Sequence, residues 1–148
     1  MKTRKILSVV LTLCVLLAAF SLTALAADGA ATVGGTGYAT LADAIAAAKD
    51  GETVTLTADA TEDVTIDKNI TLDLGTKTLT GTGAASKATL TVAKGATAIV
   101  KNGTVLGTAN GYYTIHNNGT ATLEDVTATA GNTGSSMIDN WGTLTITS

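Results

Sequence analysis

The stretch Ile115-His-Asn-Asn-Gly-Thr-Ala-Thr-Leu123 recurs as Ile138-Asp-Asn-Trp-Gly-Thr-Leu-Thr-Ile146, an offset of 23 residues. Ile, Asn, Gly, two Thr and a closing aliphatic coincide. After the glycine, apolar and polar residues alternate with the period of a β-strand. A fainter copy lies 24 residues earlier, with Gly95-Ala-Thr-Ala-Ile99 in place of Gly119-Thr-Ala-Thr-Leu123. A repeat this short cannot bury its apolar side alone, but stacked copies form a continuous core. The expectation is an all-β parallel β-helix with rungs of about 23 residues, spaced ~4.8 Å apart, and about four rungs over residues 54–148.

Working outward from the repeat, the same alternation appears in Val54-Thr-Leu56, Val64-Thr-Ile66, Ile70-Thr-Leu72-Asp-Leu74 and Leu90-Thr-Val92. Inside a coil the aliphatics point inward and the threonines outward. Gly95, Gly119 and Gly142 are then expected at one corner, where the chain turns sharply. Asn117 and Asn140 precede that corner and would stack as a short ladder, with Ala93 at the equivalent place one rung lower. Before the strands, one helix is predicted over 40–49. Thr40 is its cap, Asp43 completes a capping-box pattern, Leu41, Ala44, Ile45 and Ala48 form one apolar face, and Gly51 suits the left-handed C-terminal position. Residues 27–37 (ADGAATVGGTG) read as a flexible linker, which leaves 38–148 as the β-helix domain.

Three segments carry a family resemblance: Tyr38-Ala-Thr-Leu-Ala-Asp-Ala-Ile45, Ala48-Lys-Asp-Gly-Glu-Thr-Val-Thr-Leu56, and Ile70-Thr-Leu-Asp-Leu74 followed by Gly-Thr-Lys-Thr-Leu79. Together they resemble the start of right-handed parallel β-helix proteins of bacterial surfaces, whose fold is similar to that of pectate lyases. The resemblance implies that the short helix caps the N-terminal end of the coil. It implies no single activity, since that superfamily holds lyases, glycoside hydrolases, adhesins and stalks.

The N-terminus reads as an export signal over 1–26. Lys2, Arg4 and Lys5 precede an apolar run from Ile6 to Phe20, and Ala24-Leu25-Ala26 is a small-x-small cleavage site. The chain's one cysteine, Cys14, lies inside that run behind Leu13, the wrong setting for lipid attachment, so after cleavage no disulfide or thiolate metal site is available. Three of the nine basic residues and none of the twelve acidic ones leave with the signal. The six basic residues left against twelve acids give a net charge of −6, with no arginine. A nucleic-acid or anionic-membrane partner is not expected. The destination is secretion or a bacterial cell surface.

Catalytic candidates are sparse. The family's lyases pair calcium-binding acids with a basic proton abstractor, usually arginine, and none remains here. Its hydrolases use aspartates on neighbouring rungs. Asp59, Glu62, Asp63, Asp67 and Asp73 form one acidic group and Glu124, Asp125 and Asp139 another, but turn acids on a solenoid are ordinarily solvated. His116, the one histidine, should meet Asp139 on the next rung. Trp141, Tyr112 and Tyr113 are candidates to stack on sugar rings, with a polysaccharide or a host or cell-surface glycan as partner. The pairs Thr120/Thr122 and Thr143/Thr145 form a small threonine array, with Ala96 and Ala98 expected below it. Three Asn-x-Thr matches at Asn69, Asn102 and Asn118 fit chance occurrence in a Thr-rich chain. No residue set calls for a metal or cofactor.

The leading expectation is a non-catalytic exported β-helix, an adhesin or surface stalk. The alternatives are the N-terminal part of a polysaccharide lyase or glycoside hydrolase, and a glycan-binding module. Because the last repeat stops at Ser148 without a capping element, the chain is expected to be the first part of a longer protein. A far-ultraviolet circular dichroism spectrum should show strand as the dominant signal with a minor helical part; a mainly helical spectrum contradicts this reading.

Overall fold

In a computed structural model the described residues are 29–131 and 136–148. The export signal expected over 1–26 lies outside them. The chain is a β-solenoid of about four turns, with rungs about 23 residues apart and successive rungs paired in parallel.

The solenoid has three strand faces. The first rung contributes β3 (Thr53–Leu56), β4 (Ala60–Thr61) and β5 (Val64–Ile66). The second contributes β6 (Ile70–Asp73), β7 (Thr78–Thr80) and β8 (Leu90–Val92). In the third, β9 (Thr97–Leu106) covers two faces before β10 (Ile115–Asn117), and in the fourth β11 (Thr120–Thr129) does the same before β12 (Ile138–Asn140). The strand β13 (Thr143–Thr147) then stacks on the first half of β11. The long strands bend where Asn102 and Asp125 adopt positive φ (60° and 52°). These are side chains that tolerate the left-handed region. Asp125, a candidate acid by sequence, is thus placed by backbone geometry.

Each face sends aliphatic columns inward. Val54, Leu72, Val100 and Leu123 stack on one face, Ala60, Leu79 and Val105 on the second, Val64, Leu90 and Ile115 on the third, and all are buried. Among the described residues no buried side-chain nitrogen or oxygen lacks a hydrogen-bond partner.

The first end is closed by more than the predicted helix. The linker expected over 27–37 is a β-hairpin where it is described, with β1 (Ala31–Val33) antiparallel to both β2 (Thr36–Tyr38) and β3. Gly34 and Gly35, both at positive φ, make its two-residue turn. Ala31 and Val33 alternate inward and are buried, which is why a stretch of small residues here is ordered. The helix α1 (Leu41–Ala47) follows, with the Thr40 hydroxyl accepting from the Asp43 amide at 3.0 Å. Leu41, Ala44, Ile45 and Ala48 are buried, as the periodicity requires. Its end comes at Ala48 in an extended conformation, before Gly51, whose φ of +83° serves the turn into β3 instead.

Two charged residues flanking β5 hold this helix at both ends. Glu62 accepts from the amides of Leu41 at 2.8 Å and Ala42 at 3.0 Å, and Lys68 donates to the carbonyls of Ala46 and Ala48 at 3.0 and 3.2 Å. An acid at the N-terminus and a cation at the C-terminus satisfy orphan backbone groups and complement the helix dipole. Glu62, an acidic candidate by sequence, is therefore structural.

The corner glycines require correction. In the third rung Thr97 pairs with Thr120, but Val92 pairs with Asn117. The chain between Val92 and Thr97 is two residues longer than that between Asn117 and Thr120. Gly95 is not equivalent to Gly119 and Gly142; it sits at φ +86° in a wider turn. At Gly119 a Cβ would lie 2.5 Å from the carbonyl oxygens of Ala93 and Ala96, and at Gly142 it would fall on the Gly119 carbonyl. These two glycines permit close approach of successive rungs rather than an unusual φ. Ile99, not Ala98, stands in register with Thr122, and Thr97, not Ala96, with Thr120.

Asn117 and Asn140 do form a ladder, on the inward side and above Val92 rather than Ala93. The Asn117 amide donates to Asn140 Oδ1 at 2.7 Å and to the Thr143 carbonyl at 2.9 Å, while its oxygen accepts from Gly119 N–H at 3.1 Å. It is fully buried.

The inward and outward alternation can be tested on adjacent residues. Leu72→Asp places an unpaired charge in the core and should destabilise by several kcal/mol. Thr71→Asp, one residue away and outward, should change stability by about 1 kcal/mol or less. Urea unfolding followed by circular dichroism reads both; equal losses contradict the assigned faces.

Candidate functional site

The face made of β5, β8, β10 and β12 carries the site. Its strands are three residues long, so each offers one central outward side chain. In register these are Thr65, Thr91, His116 and Asp139, one per rung. Over this column lies a groove of about 930 Å³.

The groove has two flanks because the corners differ. Where the chain enters this face, residues 81–89 and 107–114 form long connections, and Ser86, Lys87, Tyr112 and Tyr113 line the groove from there. Where it leaves β10 and β12, the turns are tight, and Asn118 and Trp141 line the groove from them. The long connections are anchored by two buried threonines just before their strands. Thr89 Oγ1 donates to the Leu106 carbonyl at 3.1 Å, and Thr114 Oγ1 to the Thr129 carbonyl at 2.9 Å. Gly81 and Gly107 leave the room for them, since a Cβ at either would fall on the threonine hydroxyl.

The expected aromatic candidates are brought together. Trp141 is 79% exposed and Tyr112 54%, and both line the same groove as Tyr113. Tyr112 and Tyr113 meet edge to face at 4.3 Å between centroids, and Tyr113 stacks on the His116 ring at 5.9 Å with 12° between planes. From His116 the contact continues by hydrogen bonds. Nδ1 lies 2.8 Å from Asp139 Oδ2, and Nε2 lies 2.6 Å from Asn118 Nδ2. Asn118 as donor makes Nε2 an acceptor, which puts the ring proton on Nδ1, facing the carboxylate. Asp139 also accepts from the Trp141 indole N–H, 3.0 Å from each oxygen.

Tyr113 has its pKa pushed up from 10.0 to about 12. The first cause is its hydrogen bond with the Tyr112 hydroxyl, followed by partial loss of water and by the negative charge of Asp139.

The acids named from the sequence disperse. Asp59 accepts from the Thr78 amide at 2.8 Å, and Asp73 accepts from Gly75 N–H and the Asn102 amide and pairs with Lys101 at 3.8 Å. Glu124 stands in register with Lys101 on another face. Only Asp63 and Asp139 reach the groove, and Asp63 already holds the Thr82 amide at 2.9 Å and the Thr82 hydroxyl. Among the described residues no cluster of three or more His, Cys, Asp or Glu is arranged to hold a metal ion. The Asn-x-Thr side chains are also engaged: Asn69 with Asp50 and Thr97, Asn102 with Asp73, and Asn118 with His116.

Thr65, Thr91 and Lys87 are groove residues that sequence reasoning did not single out. Thr65 and Thr91 could have been found as the outward partners of His116 in aligned strands. Lys87 lies in a connection with no repeat to align. Comparison with protein-family models, with curated proteins and with solved structures gives no match to this chain.

Ultraviolet titration of the phenols tests this environment. Tyr112→Phe should lower the Tyr113 pKa toward 10, because it removes the largest cause of the rise. Asp139→Asn should lower it by a smaller step. A Tyr113 pKa unchanged in Tyr112→Phe contradicts the arrangement.

Proposed function

We propose that this chain is an exported, non-catalytic bacterial β-helix that holds a polysaccharide or cell-surface glycan in the groove over β5, β8, β10 and β12. One observation carries the reading. Three aromatic side chains, two from a long connection and one from the opposite tight corner, flank a column of polar side chains that crosses four rungs. Sugars present apolar ring faces edged by hydroxyls. Exposed aromatic faces suit the first, and Thr65, Thr91, Ser86 and Asn118 suit the second.

The same geometry argues against turnover. A carboxylate acting as acid or base must reach the bond it serves. Asp139 is occupied by imidazole and indole N–H groups, and Asp63 by Thr82. The export signal read in the sequence supports a secreted or surface location. The resemblance to the pectate-lyase-like superfamily fits an adhesin or stalk of that fold and does not choose between these and its enzymes. The rival reading, a polysaccharide lyase or glycoside hydrolase, has in its favour that Asp63 and Asp139 both line the groove.

Isothermal titration of the purified chain against soluble β-glucan, xylan, mannan and pectin separates these readings. Binding to at least one is expected, with no new reducing ends and no unsaturated product. Trp141→Ala should weaken binding at least tenfold, about the loss of one central aromatic contact. No binding by the wild type contradicts the proposal, and measurable turnover establishes the rival.

A further inference from the structure

We infer that Asp139 is a positioning residue for glycan binding, fixing the Trp141 indole as a preset stacking platform over the groove. The inference rests on the glycan-binding reading of this groove and adds the means by which its most exposed aromatic is held.

Trp141 needs such a device. At 79% exposure it has little packing around it, so an unanchored indole would lose rotamer freedom on meeting a sugar. Its anchor is the strand residue two positions earlier. The indole N–H lies 3.0 Å from both Asp139 oxygens, a charge-assisted contact. One rung below, the equivalent pair repeats the relation: Asn118 turns back onto His116, with Nδ2 at 2.6 Å from Nε2. The two rungs are tied by His116 Nδ1 to Asp139 Oδ2 at 2.8 Å. Donors therefore run from Asn118 to His116 to Asp139, and from Trp141 to the same carboxylate, so Asp139 is the common acceptor where both lines end. Tyr113, stacked on His116 at 5.9 Å, links the opposite flank to this network. The carboxylate faces outward with its side chain 22% exposed, and the backbone pairing of β10 with β12 does not depend on it.

Trp141 is the chain's one tryptophan, so its fluorescence reports on this side chain alone. Time-resolved anisotropy of the whole chain measures how freely the indole swings. Titration with cellohexaose, xylohexaose, mannohexaose and hexagalacturonate measures binding. In Asp139→Ala the fast depolarisation should grow, and affinity for whichever hexasaccharide the wild type binds should fall about tenfold, the scale of one charge-assisted hydrogen bond. Asp139→Asn keeps an oxygen acceptor in the same place and should restore slow indole motion and most of the affinity. Circular dichroism checks that each variant is folded. Depolarisation in Asp139→Ala equal to wild type, or faster motion with unchanged affinity, overturns the inference. A wild type that binds none of the four probes sinks the glycan reading itself, a failure visible without any variant.

Discussion

Everything in this molecule depends on one constraint: each strand residue has its counterpart on the neighbouring rung directly above or below it, ~4.8 Å away. A position is therefore a column, and a column must be chemically self-compatible. Inward columns are aliphatic because a polar member would need a partner. Where the third and fourth rungs replace Ile66 and Val92 by Asn117 and Asn140, the two amides partner each other. At the tight corner the same closeness excludes a side chain at Gly142, whose Cβ would meet the carbonyl of Gly119. Outward, the constraint brings His116 against Asp139 and thereby builds the site.

Columns also explain what could be read from the chain alone. The alternation in Ile70–Leu74 and the 23-residue match of Ile115–Leu123 with Ile138–Ile146 are local or near-identical patterns, and the fold follows from them. The capping helix was legible because Thr40, Leu41 and Ile45 state its start and its face. The register of the third rung was not. The turn at Ala93–Ala96 holds two extra residues, and matching Gly95 to Gly119 draws an alignment one residue out of step. Residues 27–37 read as a linker because their small residues and Gly34-Gly35 look loose in isolation. Only pairing with β3 reveals them as a hairpin turn.

The candidate site was legible in part for the same reason. Trp141, Tyr112 and Tyr113 stand out by type, and the His116–Asp139 contact follows from the repeat. That the tyrosines face Trp141 across one groove depends on connections of unequal length, 81–89 and 107–114, which no repeat describes. The buried hydroxyls of Thr89 and Thr114, which anchor those connections, are hidden among many strand threonines. The acids of the early rungs were readable as a cluster but serve separate structural ends, most clearly Glu62 at the start of α1.

The proposed ligand recognition belongs to the face where the outward column of four rungs lies between aromatic flanks. Amide chemical-shift mapping by nuclear magnetic resonance, with a bound oligosaccharide, tests it most directly. Shifts should concentrate at Thr65, Thr91, His116 and Asp139 and at the Tyr112–Tyr113 and Trp141 corners, with Thr97, Thr120 and Thr143 unmoved. Shifts centred on those last threonines instead, with the four-rung column silent, would contradict it.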